Sequence, residues 1–275
     1  MIIGILGPEG SFSEKAAKQW NDKAELRYYD DILDTVDALI HDEVDHSILP
    51  IENSLEGSVS ITLDILLEYH LKIVGEVIVH IQHCLLSKGK LHDIKTILSH
   101  PQALSQCRKY IKNNFRDVEV RSTLSTSHAA MLATTSKDIA AIASKESAQW
   151  YELEVLAENI QDVNQNFTRF IVIGKSIPPA TGNDKTSIIV YLEKNRPGAL
   201  YEILGEFAKQ GIDLTKIESR PTKKVLGDYL FYIDLRGHIE DDTIKNTLKA
   251  IKNKVRMLKI IGSYPAAQDC LMNEV

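Results

Sequence analysis

Residues 164–170 read Asn-Gln-Asn-Phe-Thr-Arg-Phe and run directly into the apolar segment 171–174. If the stretch is extended, Asn166, Thr168 and Phe170 share one face, while Phe167 and Arg169 share the other. A buried hydroxyl or guanidinium without a partner is costly, so these groups must meet other polar groups, water or a ligand. Glu52 and Asn53 close the apolar run 46–51, and Gln102, Ser125, Thr126 and Ser127 stand where helical patterns begin. Free N–H groups at helix starts favour carboxylates and phosphates, and hydroxyls and amides beside them add donors. Each of these residues alone reads more readily as a helix cap or a turn former. Their recurrence at strand ends points to a site for a small anion.

A repeated unit positions these residues. Short apolar runs at 2–6, 46–51, 96–100 and 139–144 have strand length, and each is followed by polar or Gly/Pro punctuation and a helical pattern. The helix starts are recognisable. Ser11 with Glu14 matches a capping box, Pro101 suits a first helical turn, and Ser125 and Ser144 precede further helices. Strand, polar turn and helix used repeatedly give an α/β sheet, with ligands beyond the C-terminal strand ends.

From 175 to 185 two prolines, a glycine and polar residues read as a linker. Beyond it the order changes to strand, helix, strand, strand, helix, strand, the ferredoxin-like βαββαβ arrangement. Pro197 is expected in the first turn of its first helix and Gly211 at that helix's C-terminal end.

Other residues that could do chemistry have plainer readings. The stretch 76–86 reads as one strand, so His80 and His83 point to opposite faces and do not share a metal. His100 and His128 stand at helix starts and are better site candidates, whereas His41 and His46 read as surface residues. The glycines of "GILGPEG" lack the spacing of a dinucleotide fingerprint. No Walker loop, nucleophile elbow or redox cysteine pair occurs in the sequence. Cys107 reads as a buried, inert thiol.

The 275 residues are 44% hydrophobic and 25% charged, an ordinary globular composition of one large or two modest domains. The net charge of -6 leaves no basic footprint for nucleic acid. The longest stretch without Asp, Glu, Lys or Arg, 122–136, is too short to span a bilayer. Three scattered cysteines suit a reducing compartment. The N-terminus reads as a first strand and not as a signal peptide, so a cytoplasmic location is expected.

The motifs together resemble a family. "GPEGSFS" (7–13), "PIENSLEGSVSITLDIL" (50–66), "SHPQALSQC" (99–107), "STSHAA" (125–130), "AAIAS" (140–144) and "NFTRF" (166–170) stand in the order seen in prephenate dehydratases. "NRPGAL" (195–200) and "ESRP" (218–221) resemble the signature segments of the regulatory ACT domain of the same enzymes. The resemblance implies a two-lobed, periplasmic-binding-protein-like catalytic region at 1–176, a linker at 177–185, an ACT domain at 186–264 and a tail at 265–275. It implies conversion of prephenate to phenylpyruvate, water and carbon dioxide in L-phenylalanine biosynthesis. Aromatisation drives that reaction, so neither cofactor nor metal is expected. By motif matching, Thr168 is the catalytic residue, and Glu52, Asn53, Ser99, Gln102, Ser125, Thr126, Asn166, Arg169 and Phe170 bind substrate. Arg169 either pairs with a substrate carboxylate or braces Glu52.

The ACT segments imply that Asn195, Gly198, Ala199, Leu200, Glu218, Ser219, Arg220 and Pro221 bind L-phenylalanine as feedback inhibitor, between paired subunits of a homodimer or homotetramer. The early start of the first strand implies a monofunctional enzyme without a fused mutase domain. Neither nucleic acid nor membrane is an expected partner. Arogenate dehydratase and a non-catalytic small-anion or amino-acid sensor are the alternatives.

Overall fold

The computed structural model describes residues 1–193, 196–223 and 227–267. By internal contacts the chain divides into two compact units, Met1–Val59 with Val77–Phe170 and Ser60–Glu76 with Ile171–Val275.

The first unit contains two lobes. Its first lobe is built from β1 (Ile2–Leu6), α1 (Phe12–Trp20), β2 (Glu25–Tyr29), α2 (Ile32–Ile40), β3 (His46–Asn53) and the short β4 (Gly57–Ser58). β1 lies between β2 and β3 with all three parallel, and its inward residues Ile3 and Ile5 are fully buried. The chain then passes through α3 (Ser60–Glu68), which belongs to the second unit, and β5 (Lys72–His80).

The second lobe follows: β6 (Cys84–Ser87), β7 (Thr96–Ser99), α4 (Pro101–Gln106), α5 (Arg108–Asn114), β8 (Glu119–Ser122), α6 (Thr126–Ala133), β9 (Ile139–Ala143), α7 (Lys145–Trp150) and β10 (Glu154–Ala157). Its sheet has the order β10-β6-β9-β7-β8, with α6 packing small residues Ala129, Ala130 and Ala133 against Ala141 and Ala143. The chain returns to the first lobe in β11 (Phe167–Gly174). Two crossings between lobes, near 81–83 and 158–166, make this the two-lobed α/β architecture that the sequence implied.

The apolar runs became β1, β3, β7 and β9, at or near the core of their sheets. β2, β8 and β10, which have no such run, are edge strands. An edge strand has one paired neighbour and buries little, and every residue of β8 is exposed. The single strand expected over 76–86 is broken: β5 ends at His80, and 81–83 lie outside any strand before β6. His46 is half-buried instead of a surface residue, with its ring edge on Trp20 at 5.1 Å, and burial lowers its pKa.

In the second unit, β12 (Asp184–Leu192), α8 (Ala199–Lys209), β13 (Leu214–Pro221), β14 (Tyr229–Arg236), α9 (Asp242–Lys252) and β15 (Val255–Pro265) follow the expected βαββαβ order. The strands are ordered β13-β14-β12-β15, all neighbours antiparallel. The apolar faces of α8 and α9, including Ile203, Phe207, Leu248 and Ile251, cover Ile188, Val190, Ile233 and Leu235. Pro197 lies one residue before the N-cap and not in the first turn: α8 starts at Ala199, behind Gly198 at φ 82°. That left-handed conformation is one glycine adopts without steric cost. Gly211 follows the C-cap at φ 66°, as expected of a helix-ending glycine.

Candidate active site

The site is a cavity of about 350 Å³ within the first unit. The first lobe lines it with Ser11, Phe12, Asn53, Val59 and Thr168, among others, and the second lobe with His83, His100, Gln102, Gln106 and Ser125 through Ser127. Local chemistry holds the walls. Ser11 caps α1 by accepting the Glu14 N–H at 3.3 Å, but the Glu14 carboxylate does not close the expected capping box. It accepts the Gly10 N–H at 2.6 Å and the Trp150 Nε1–H at 2.9 Å. Burial pushes the Glu14 pKa up, but these donors and Lys18 outweigh it and hold the carboxyl below its ordinary value. The Gly10 carbonyl accepts from Ser144 Oγ at 2.7 Å and Ser147 Oγ at 2.9 Å. A Cβ on Gly10, whose φ is 74°, would fall 2.8 Å from Ser147 Cα. The loop that carries the first wall is therefore pinned to α7 of the second lobe.

The polar centre is a chain of amides whose direction can be read from one end. Asn53 Oδ1 accepts the backbone N–H groups of Leu55 at 3.0 Å and Glu56 at 3.1 Å. Backbone N–H groups only donate, so the Asn53 amide nitrogen must face the other way. Asn53 Nδ2 donates to Asn166 Oδ1 at 2.8 Å and to Thr168 Oγ1 at 2.9 Å. Asn166 Nδ2 in turn donates to Gln106 Oε1 at 3.0 Å. His83 Nε2 also lies 3.0 Å from Gln106 Oε1, which fixes His83 as the Nε2–H tautomer. Burial lowers the His83 pKa, opposed by that hydrogen bond, so the ring is neutral at pH 7. Its edge meets the Phe12 ring at 5.9 Å.

The consequence falls on Thr168. Its oxygen already accepts from Asn53, so the hydroxyl proton is the part it can offer to the cavity. The start of β11 is held by Ser54, which accepts the Phe167 N–H at 2.9 Å and donates its own N–H to Phe167 O at 2.8 Å.

Of the residues expected from sequence to bind substrate, Asn53, Gln102, Ser125, Thr126, Asn166 and Phe170 line this cavity together with Thr168. Glu52, Ser99 and Arg169 are not among the lining residues. Ser99 is fully buried and its hydroxyl donates to Ile142 O at 2.5 Å, tying β7 to β9. Arg169 Nη1 lies 3.9 Å from Glu52 Oε2. His100 lines the cavity and its Nδ1 accepts the Gln102 N–H at 3.3 Å, capping α4. His128 does not line it, and Cys107 is buried with its thiol pKa pushed up to about 12 by burial, an inert group as expected. Sequence reading missed His83 and Gln106. The four-residue spacing of Gln102 and Gln106 on one helical face could have found the second; His83 carried no local signal.

In the second unit, Gly198, Ala199 and Leu200 form the start of α8, while Glu218, Ser219, Arg220 and Pro221 lie on β13. Asn195 falls outside the described residues. Glu218 and Arg220 share the half-buried face of β13, and Arg220 Nη2 lies 3.5 Å from Asp64 Oδ1 on α3. Ser219 and Pro221 share the exposed face.

Residues 3–178 match the family model for prephenate dehydratase, and residues 186–253 match the ACT domain. The chain belongs to the prephenate dehydratase family. The prephenate dehydratase of Methanocaldococcus jannaschii is 44% identical over 266 residues, covering 94% of this chain and 96% of that protein. The crystal structure of the Arthrobacter aurescens prephenate dehydratase in complex with L-Phe superposes with a TM-score of 0.88 at 35% identity, over 96% of this chain and 90% of that one. The quorum-quenching acylase GqqA also superposes with a TM-score of 0.88, at 29% identity over 97% of this chain and 98% of that one. Membership makes the chain a carbon-oxygen lyase with a regulatory ACT domain. No helix among the described residues is long and apolar enough to cross a membrane.

Proposed function

We propose that the cavity of the first unit dehydrates and decarboxylates prephenate, with Thr168 as the catalytic residue. The bond between the ring and its carboxylate breaks, its electron pair moves through the diene, and the ring hydroxyl leaves, so that phenylpyruvate and carbon dioxide form. The leaving oxygen takes up one proton to become water. A threonine hydroxyl is too weak an acid to surrender its own proton outright at neutral pH, so solvent supplies that proton in the end. The part given to Thr168 is a hydrogen bond to the leaving oxygen as negative charge develops on it, a preorganised donor in a site partly closed to water.

The observation that carries this reading is the Asn53–Thr168 hydrogen bond at 2.9 Å, which fills one acceptor position of the hydroxyl and leaves its proton for the substrate. The same bond gives no support to an acylase reading drawn from GqqA, because the amide N–H of Asn53 cannot act as the base that takes a proton from an attacking hydroxyl. Asn53, Gln102, Ser125, Thr126, Asn166 and Phe170 bind substrate around Thr168. Glu52 and Arg169 brace each other, a role supported by their 3.9 Å approach. Ser99 acts through the backbone it fastens.

The catalytic region spans 1–176, with a linker at 177–185 whose last two residues, Asp184 and Lys185, already belong to β12, the ACT domain at 186–264 and a tail beyond. L-Phenylalanine, which the Arthrobacter aurescens relative holds in its crystal structure, acts on this ACT domain as feedback inhibitor. Gly198, Ala199, Leu200, Glu218, Ser219, Arg220 and Pro221, with Asn195, contact it between paired domains of a homodimer or homotetramer in the cytoplasm. Purified protein mixed with prephenate should yield phenylpyruvate, and added L-phenylalanine should suppress it. A protein that acts on arogenate in its place, or on neither substrate, overturns the assignment. Gly198→Val places a branched side chain at φ 82° and should abolish inhibition while basal turnover persists. Undiminished inhibition in that variant counts against this effector site. Light scattering of the purified protein decides between dimer and tetramer.

A further inference from the structure

Ser127 is 1% exposed, yet its hydroxyl has no hydrogen-bond partner among the described residues. Other buried serines in the same unit behave differently. Ser87 donates to Ile139 O, Ser99 to Ile142 O, and Ser144 and Ser147 to Gly10 O. Buried hydroxyls are satisfied as a rule, so an orphan one calls for an explanation. Ser127 also lines the cavity, on the wall formed by the second lobe. It is the second residue of α6, an eight-residue helix, where the N–H groups of the first turn have no intrahelical acceptor and the positive end of the helix dipole lies. The Ser125 oxygen, in contrast, is held as the N-cap of α6 by accepting the His128 N–H at 3.0 Å, with its own proton left over.

We infer that the Ser127 hydroxyl and the backbone N–H groups of Thr126 and Ser127 at the start of α6 form the seat of one substrate carboxylate, an inference that rests on the prephenate reading above. The chemistry selects which carboxylate. The ring carboxylate must give up its electron pair in the transition state, so a seat that favours its negative charge would stabilise the ground state and slow the step. The side-chain carboxylate keeps its charge throughout and is retained in the product. Seating it at α6 would bind substrate and transition state equally, and Thr168 would meet the leaving hydroxyl elsewhere in the cavity. Ser127 is therefore a binding residue for the 2-oxo acid side chain that prephenate and phenylpyruvate share.

The test is Ser127→Ala, assayed for prephenate turnover, for inhibition by phenylpyruvate and for thermal unfolding. A lost hydrogen bond to a charged group should raise KM by roughly tenfold or more, with kcat within about threefold. Phenylpyruvate should bind more weakly by the same factor. The melting temperature should stay level or rise, since the variant removes an unpartnered buried hydroxyl, whereas a structural serine would lower it. Unchanged KM and phenylpyruvate inhibition overturn the seat, as does a fall in kcat with a matching loss of melting temperature. A raised KM with phenylpyruvate inhibition unchanged overturns the choice of the side-chain carboxylate. A wild-type protein inactive on prephenate overturns the functional reading and the seat with it, whereas an active wild type indifferent to Ser127→Ala overturns the seat alone.

Discussion

Both units bury a network of polar side chains, but the two networks end differently. In the first unit, Asn53 donates to Asn166 and Asn166 to Gln106, whose oxygen also accepts from His83, and a branch from Asn53 stops at the Thr168 hydroxyl with a donor left over. In the second, the bonds close on one another. Ser187 Oγ donates to Asp234 Oδ1 at 2.6 Å and meets Tyr264 Oη at 2.7 Å. Thr186 Oγ1 donates to Gly237 O at 2.7 Å and meets Ser263 Oγ at 2.9 Å, which in turn accepts the Ile239 N–H at 3.1 Å. A closed network has no donor left for a ligand and serves to fix β12, β14 and β15 against one another. An open one keeps a hydrogen-bonding group at the edge of a cavity, held in place by bonds farther back. Burial of polar groups is thus common to structure and catalysis, and the free end distinguishes them.

The sharpest attempt to break this contrast is at the free end. Thr168→Ala should lower kcat by about a hundredfold or more with a small change in KM and in melting temperature. Asn53→Asp should reach a similar loss for a different reason, because a carboxylate there would draw the Thr168 proton to itself. A folded Thr168→Ala variant with near-normal kcat would remove Thr168 from the mechanism.

One step back, His83→Leu removes a donor to Gln106 and should cost roughly tenfold in kcat, the equivalent of one neutral hydrogen bond. His83→Gln can still present an N–H at that position and should recover most of the loss. Equal impairment in both variants would mean that His83 matters through its packing on Phe12 alone.

In the closed network, Ser187→Ala should leave kcat and KM unchanged. It should destabilise the protein by about 1–3 kcal/mol, because Asp234 and Tyr264 lose a buried partner. A melting curve reads this as a drop of several degrees, at about 2–4 °C per kcal/mol for a chain of this size class. Loss of catalytic activity without loss of stability would erase the distinction between the two networks.

The smallest effect expected is on the pH dependence of stability. Burial lowers the pKa of His83 in the folded state below the ordinary histidine value of 6.5. Between those two values the unfolded chain binds more protons than the folded one, so stability rises with pH there. The contribution is complete above about pH 6.5 and is lost as the pH falls toward the folded value. His83→Gln should flatten this acid limb in denaturant titrations, with half-buried His46 leaving a residual slope of the same sign. An unaltered limb would place the titration elsewhere.

The legible parts of this chain are those governed by neighbours in sequence. Ser11, Ser125 and Ser144 cap helices by accepting N–H groups three residues ahead, and Pro101 opens α4. The apolar runs that became β1, β3, β7 and β9 fill sheet interiors. The edge strands were silent because their burial is slight, and the strand over 76–86 was overdrawn because its apolar alternation continues past the point where the chain leaves one lobe for the other. Gly198 displaced Pro197 from the helix start because the turn there needs a positive φ.

By itself the sequence determined the α/β and βαββαβ orders, the helix starts and the ordered motifs of a prephenate dehydratase, since each depends on local periodicity, capping or residue identity. Only the tertiary structure decided what the polar residues of those motifs do. The donors and acceptors of Asn53 include groups 113 and 115 residues away, and no local pattern encodes such a pairing. That is why Ser99, which fastens two strands, and Thr168, which lines the cavity with its oxygen held by Asn53, look alike as hydroxyls in a motif and differ only once their partners are known.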